Sequence, residues 1–264
     1  MDTTSTRLPG IPNFRDIGGH LTRDGWRVRT GLLYRSVALS RADAADLERL
    51  ADLGIDTVFD LRTGMERDRN PDRLPTGSAL VALDVLADSG EADPTAVFAL
   101  MQDPPRASAE MANGGTDRFY LATYRDMIRL PSARAAYRQL YLELAGRDGG
   151  AALVHFTTGK DRTGWAVAAL LLWLGVRADA VMREYLLSDA EVRLAFKPAI
   201  DDFVARGGDR QVFEPLMGVR PSYLDAAIDT MHAEYASVEA YFGDGLGLDA
   251  ATLVALRLRF LERA

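Results

Sequence analysis

A chain of 264 residues, 48% hydrophobic and 26% charged, has the length and apolar content for a real core, in one large domain or two small ones. Its formal net charge of −7 and pI near 5.1 argue against nucleic acid or an anionic membrane surface as partner, since both reward basic surfaces. Zero cysteines exclude a disulfide framework and leave no thiol for chemistry.

In chain order, polar residues 1–9 read as a loose tail. Residues 26–36 alternate and suggest a hairpin or edge strand around Gly31. A helix is expected from Ala42 to Leu53, with leucines at 47, 50 and 53 on one face and Gly54 as its stop. The strand Ile55–Leu61 follows, then a charged, proline-bearing loop from Arg62 to Thr76 and a strand from Leu80 to Leu86. Residues 87–117 read as a flexible connection around a short helix, followed by helices Phe119–Leu130 and Ser132–Ala145. Beyond Gly175 no strand is expected. Segments 177–187, 189–206, 209–217, 221–236 and 248–264 all read as helices. This alternation points to an α/β domain with a mostly parallel central sheet flanked by helices.

The longest apolar run, Trp165 to Val176, is too short to span a bilayer and suits a buried core helix. The start, Met-Asp-Thr-Thr-Ser-Thr, is polar and carries no secretory pattern, so the expected compartment is the cytoplasm. His20, His155 and His232 fall into no metal-ligand spacing, and neither a metal nor another cofactor is expected.

The ten residues from His155 to Gly164 read H-F-T-T-G-K-D-R-T-G. The apolar run Ala151–Val154 enters them and the run Trp165–Leu174 leaves them, which reads as a buried strand, a tight glycine-containing loop and a buried helix. Loop amides and a helix N-terminus converging on one point make an anion cradle. Lys160 adds positive charge and Arg162 a planar fork suited to two phosphate oxygens.

This stretch resembles the phosphate loop of the cysteine-dependent tyrosine and dual-specificity phosphatases, H-C-x-x-G-K-D-R-T-G. It is closest to the bacterial branch acting on phosphotyrosine, phosphoserine/threonine and phosphoinositides. Asn13-Phe14-Arg15-Asp16-Ile17-Gly18-Gly19, Leu33-Tyr34-Arg35-Ser36, Phe59-Asp60-Leu61-Arg62, Glu184-Tyr185-Leu186-Leu187-Ser188 and Arg220-Pro221-Ser222-Tyr223-Leu224 carry the likeness nearly end to end. The resemblance implies a single phosphatase-like domain over residues 1–264. Within it, a helical lid at about 190–220 would have Phe196, Phe203, Phe213, Leu216 and Met217 as its apolar underside. It also implies a loop in which positions 156–160, 162 and 163 (Phe156, Thr157, Thr158, Gly159, Lys160, Arg162 and Thr163) hold phosphate. Relatives in this branch can be exported without an obvious signal.

The departure is Phe156, at the position of the family's nucleophilic cysteine. Phosphocysteine chemistry needs a thiolate, and a phenyl ring offers none, so the ordinary mechanism is excluded. The hydroxyls of Thr157 and Thr158 are unactivated, with His155 the nearby base. The ring reaches further than cysteine. Either it turns into the core beneath the loop, or the ligand sits higher, or the pocket gains an apolar floor. By resemblance Asp60 and Asp161 are acid/base carboxylates. The bland alternatives are a turn role for Asp60, an internal Asp161–Arg162 pair holding the loop, and a local Arg62–Glu66 ion pair. Two functions fit. One is an enzyme that keeps the anion anchor but works by elimination, rearrangement or direct water attack, with Asp161, Asp60 or His155 moving protons. The other is an inactive pseudophosphatase that binds a phosphorylated small molecule, lipid or phosphoprotein.

Overall fold

A computed structural model describes residues 8–89 and 100–264. The strands are β1 (Arg15–Asp16), β2 (Trp26–Val28), β3 (Leu33–Ser36), β4 (Ile55–Asp60), β5 (Ala79–Ala82), β6 (Ala151–His155) and β7 (Leu261–Arg263). Five of them form the central sheet in the order β1-β3-β6-β4-β5, parallel except for β1 at one edge. β6 is buried at all five positions, as its uninterrupted apolar run requires for a strand covered on both faces. Its side chains alternate between two cores. Ala152 and Val154 join the larger cluster with helix Arg162–Trp173, and Ala151 and Leu153 join the smaller one beside Leu50 of helix Ala44–Asp52.

The register aligns Ser36 and Asp60 with His155, so three parallel strands end together at one edge of the sheet. Ligand clefts of open α/β sheets lie outside such carboxyl ends. The chain turns there into helix Arg162–Trp173, whose residues are buried apart from Leu172, a fit for an apolar segment packed on all sides. Among the described residues no helix is long and apolar enough to cross a membrane.

Several local expectations are corrected. Residues 26–36 form no hairpin: β2 pairs antiparallel with β7, more than 230 residues away, and β3 is an inner strand parallel to β6. The expected helix 248–264 accordingly stops at Phe260 and gives way to β7, where Leu261 pairs with the fully buried Val28. The expected helix 189–206 is two helices, Ser188–Ala195 and Lys197–Ala205, broken at Phe196 ahead of Pro198, which has no N–H to continue the ladder. The expected loop 62–76 contains helix Gly64–Arg69, closed by a reciprocal capping box between Thr63 and Glu66. In the 87–117 connection, helix Pro104–Met111 is present and Gly115 already opens the next helix; residues 90–99 lie outside the described residues.

Candidate functional site

The loop after β6 wraps the bottom of a cleft of about 440 Å³. Among the described residues, none of the N–H groups from Thr157 to Asp161 donates to a protein acceptor. Asp161 stands at the N-cap of helix Arg162–Trp173 without a side-chain capping bond, so that helix's first-turn amides stay open too. The hydroxyls of Thr158 and Thr163 are buried without partners. Gly159 and Thr163 do not line the cleft, but Thr158 does, and buried donors left open beside a cleft suit an acceptor brought by a ligand. Gly159 makes the tight turn possible: its φ is +65°, and a Cβ there would stand 2.1 Å from the Ser36 carbonyl oxygen.

Both cationic side chains of the loop are compensated. Arg162 donates from its NH1 nitrogen to Glu66 Oε2 at 2.6 Å and to the Leu61 carbonyl at 3.4 Å. Thr157 donates to the other oxygen of Glu66 at 2.6 Å. Burial alone would raise the Glu66 carboxyl, but the Arg162 charge and the hydrogen bonds from Arg162, Thr157 and the Thr63 backbone outweigh it and hold the pKa down at about 2. Lys160 is 1% exposed, 3.0 Å from Asp161 Oδ2 and 3.0 Å from the Gly218 carbonyl, with its ammonium 4.1 Å from the centre of the Tyr120 ring. Burial pulls its pKa down, opposed by Asp161. Asp161 also accepts from the Tyr124 hydroxyl at 2.9 Å, and Tyr124 touches the Tyr185 hydroxyl at 2.7 Å. Burial keeps both phenols protonated. With Arg162 matched by Glu66 and Lys160 by Asp161, the pull on an anion falls to the amides, the helix N-terminus and the arginine's remaining N–H groups.

Phe156 sits at the base of the cleft. Its ring is 6% exposed, belongs to the main core cluster and lies 4.9 Å from the guanidinium carbon of Arg162. Of the alternatives open from sequence, the ring is packed in the core and gives the cleft an apolar floor beneath the arginine. Phe196, Phe213, Leu216 and Met217 line one wall, while Phe203 is buried behind them, stacked on Phe213 at 4.5 Å.

The sequence of residues 6–262 matches the family model described as the tyrosine phosphatase family. The chain belongs to the tyrosine phosphatase family. It is 37% identical to a candidate tyrosine-protein phosphatase of Cupriavidus necator, over 92% of this chain and 84% of that protein. It is 32% identical to the triple specificity protein phosphatase PtpB of Mycobacterium tuberculosis, over 95% and 96%. A crystal structure of P. aeruginosa TpbA in complex with phosphotyrosine aligns at 18% identity and a TM-score of 0.29, covering 85% of this chain and 98% of that one. Set within the tyrosine phosphatase family, the loop matches the family's pattern around a position where no nucleophile stands.

Two of the expected acid/base residues of this tyrosine phosphatase homologue lie away from the cleft. Asp60 is fully buried and grips Arg62 at 2.9 and 2.8 Å, while Arg62 also reaches Asp72 at 2.6 Å. His155 is fully buried with its Nε2 3.1 Å from Asp72 Oδ2. Neither Asp60 nor His155 lines the cleft, whereas Asp161 does, together with Phe156, Thr157, Thr158, Lys160 and Arg162. Asp60, Asp72 and His155 bring possible ligand atoms within 4.8 Å of one another, but the Arg62 guanidinium already bridges the two carboxylates, in the place a cation would take. Two simple pairings are corrected. Asp161 pairs with Lys160 rather than Arg162, and Glu66 with Arg162 rather than Arg62. Glu66 is the site residue that reasoning from sequence missed. The T-x-x-E box over Thr63–Glu66 was the readable signal for its helix, but its reach across to Arg162 has no local mark.

Proposed function

We propose that this chain binds a phosphoryl group of a phosphorylated ligand in the 156–163 loop and does not perform the family's thiol-dependent hydrolysis. The observation that carries the reading is the set of uncommitted amides from Thr157 to Asp161 gathered over a floor where Phe156 replaces the reactive residue. An oxyanion there would complete the loop's hydrogen bonds and take the free edge of Arg162, which leaves NH1 to Glu66. The aromatic wall of Phe196, Phe213, Leu216 and Met217 suits a ligand with an apolar body, and helices Ser188–Ala195, Lys197–Ala205 and Arg210–Leu216 would serve as the lid over it.

Of the two function classes, this geometry favours the pseudophosphatase. Two of the three carboxylate or imidazole groups assigned to proton transfer do not line the cleft: Asp60 is paired with Arg62, and His155 is fully buried beside Asp72. One observation keeps the altered enzyme in view: Asp161 does line the cleft, hydrogen-bonded to Tyr124, where a carboxyl group could serve an attacking water.

A single ³¹P experiment separates the two. Phosphotyrosine incubated with stoichiometric protein is expected to shift and broaden on binding and to persist for hours without release of inorganic phosphate. Stoichiometric conversion to phosphate or to a rearranged ester would establish the enzyme instead, and an unperturbed signal would remove the binding site altogether.

A further inference from the structure

Three of the segments that carry the family likeness meet behind the phosphate loop. The Gly159 carbonyl accepts from Asn13 Nδ2 at 3.0 Å and from the NH2 nitrogen of Arg35 at 2.6 Å. Arg35 is fully buried in β3, and its other terminal nitrogen donates to Glu184 Oε2 at 2.8 Å. Glu184 is itself 3% exposed and is shared with Arg15, whose Nε donates to Oε1 at 2.8 Å. Arg15 also reaches the Asn13 side-chain oxygen and the hydroxyl of Ser188, which lies 3.3 Å from Arg35 as well. One carbonyl oxygen of the loop is thus the focus of five side chains from β1, β3, the residues around them and the 178–195 helical segment. Neither Asn13 nor Arg35 lines the cleft.

In a trans peptide the C=O and the next N–H point in opposite directions across one rigid plane. A Gly159 oxygen fixed at the rear of the loop therefore turns the Lys160 N–H forward. The Thr157 carbonyl is held the same way, by the Ala38 amide at 3.4 Å, which turns the Thr158 N–H forward. Alternate peptides are pinned from behind, and the amides following them are left without protein acceptors.

We propose that Asn13 and Arg35 are positioning residues for the anion cradle, aiming the Lys160 amide into the cleft through the Gly159 carbonyl, with Glu184, Arg15 and Ser188 holding Arg35 in its pose. The proposal deepens the reading of this loop as a phosphoryl site and rests on it. It differs in assigning the loop's donor geometry to residues that touch no ligand.

The test is solution NMR on the full-length ¹⁵N-labelled chain as wild type, Asn13→Asp and Arg35→Lys, titrated with inorganic phosphate. Asn13→Asp keeps the side chain's size but replaces the donor with an oxygen that repels the Gly159 carbonyl, and it leaves the Arg35–Glu184 pair in place. Arg35→Lys keeps the charge beside Glu184 but not both arms. The wild type should show phosphate-dependent shifts at the Thr158 and Lys160 amides. Each variant should weaken phosphate binding at least about tenfold, and residual dipolar couplings should report a reoriented Lys160 N–H in a protein that remains folded. A wild-type N–H orientation and affinity in the variants would overturn the proposal. If Arg35→Lys does not fold, Asn13→Asp decides. A wild type without phosphate shifts would defeat the binding reading. The positioning claim would then stand only if the Lys160 N–H turns in Asn13→Asp, and fall if it does not.

Discussion

Arg162 lies over Phe156, its guanidinium carbon 4.9 Å from the centre of the ring. The side chain that occupies the nucleophile's position thus supports the one that would hold the anion, through a cation–π contact of about 0.5–2 kcal/mol. Glu66 holds the same guanidinium from one terminal nitrogen. Glu66 and the Phe156 ring thus hold the arginine in place without a thiolate beneath it.

Restoring the thiol should restore chemistry. Phe156→Cys places a sulfur beneath the open amides and Arg162, where its pKa would be depressed and the thiolate favoured. Hydrolysis of para-nitrophenyl phosphate should rise from background in the wild type to at least about 100-fold above it in the variant. Continued inactivity of a folded variant would mean that the cradle no longer aligns a phosphoryl group. The ring's core packing has a separate signature: Phe156→Ala should cost about 3–5 kcal/mol in urea unfolding.

Glu66 should make acid unfolding steeper. Its folded pKa of about 2 lies below its ordinary 4.5, so the group's contribution is complete above pH 4.5 and disappears as pH falls toward 2. A shift of that size is about 3 kcal/mol. Unfolding free energy measured between pH 5 and pH 2 should fall by about that much less in Glu66→Gln than in the wild type. Parallel curves would show that the Arg162 contact contributes nothing in solution.

Glu184 carries two arginines, and its carboxyl is held low by Arg35 and Arg15 against the opposing effect of burial. Glu184→Ala would leave Arg35 buried with no charge partner, at a cost of about 3–5 kcal/mol by chemical denaturation. A loss below 1 kcal/mol would mean that water reaches the cluster.

Gly159→Ala tests the turn itself. The left-handed backbone costs an L-residue about 1–2 kcal/mol, and the new Cβ would collide with Ser36, so the loop must move. The melting temperature should drop, and the stabilisation that millimolar phosphate gives the wild type should vanish. A variant still stabilised by phosphate would place the anion outside the loop.

Strand β4 and the strand–loop–helix unit around residues 151–174 were readable because their apolar runs are bounded by glycine, charge or helix caps, whereas β3, short and half polar, was not recognisable as an inner strand. The pairing of β2 with β7 was not, since it joins segments more than 230 residues apart and neither has a turn to announce it. Phe196 as a helix break was foreshadowed by Pro198, yet the apolar spacing across 189–206 masked it. In the site, the loop residues could be named from their sequence, and the cleft gathers Phe156, Thr157, Thr158, Lys160, Asp161 and Arg162. Burial separates Asp60 and His155 from that cleft, and burial depends on tertiary neighbours such as Asp72 and Arg62. The roles of Glu66, Arg35 and Asn13 were illegible for the same reason: each acts on the loop across 90 residues or more.

An oxyanion site that persists without a nucleophile should still bind inorganic phosphate through Arg162. Calorimetric titration of the wild type and Arg162→Ala with inorganic phosphate measures this directly. Saturable one-site binding to the wild type and its loss in Arg162→Ala is the predicted result. No heat from the wild type, or equal affinity in both proteins, would contradict it.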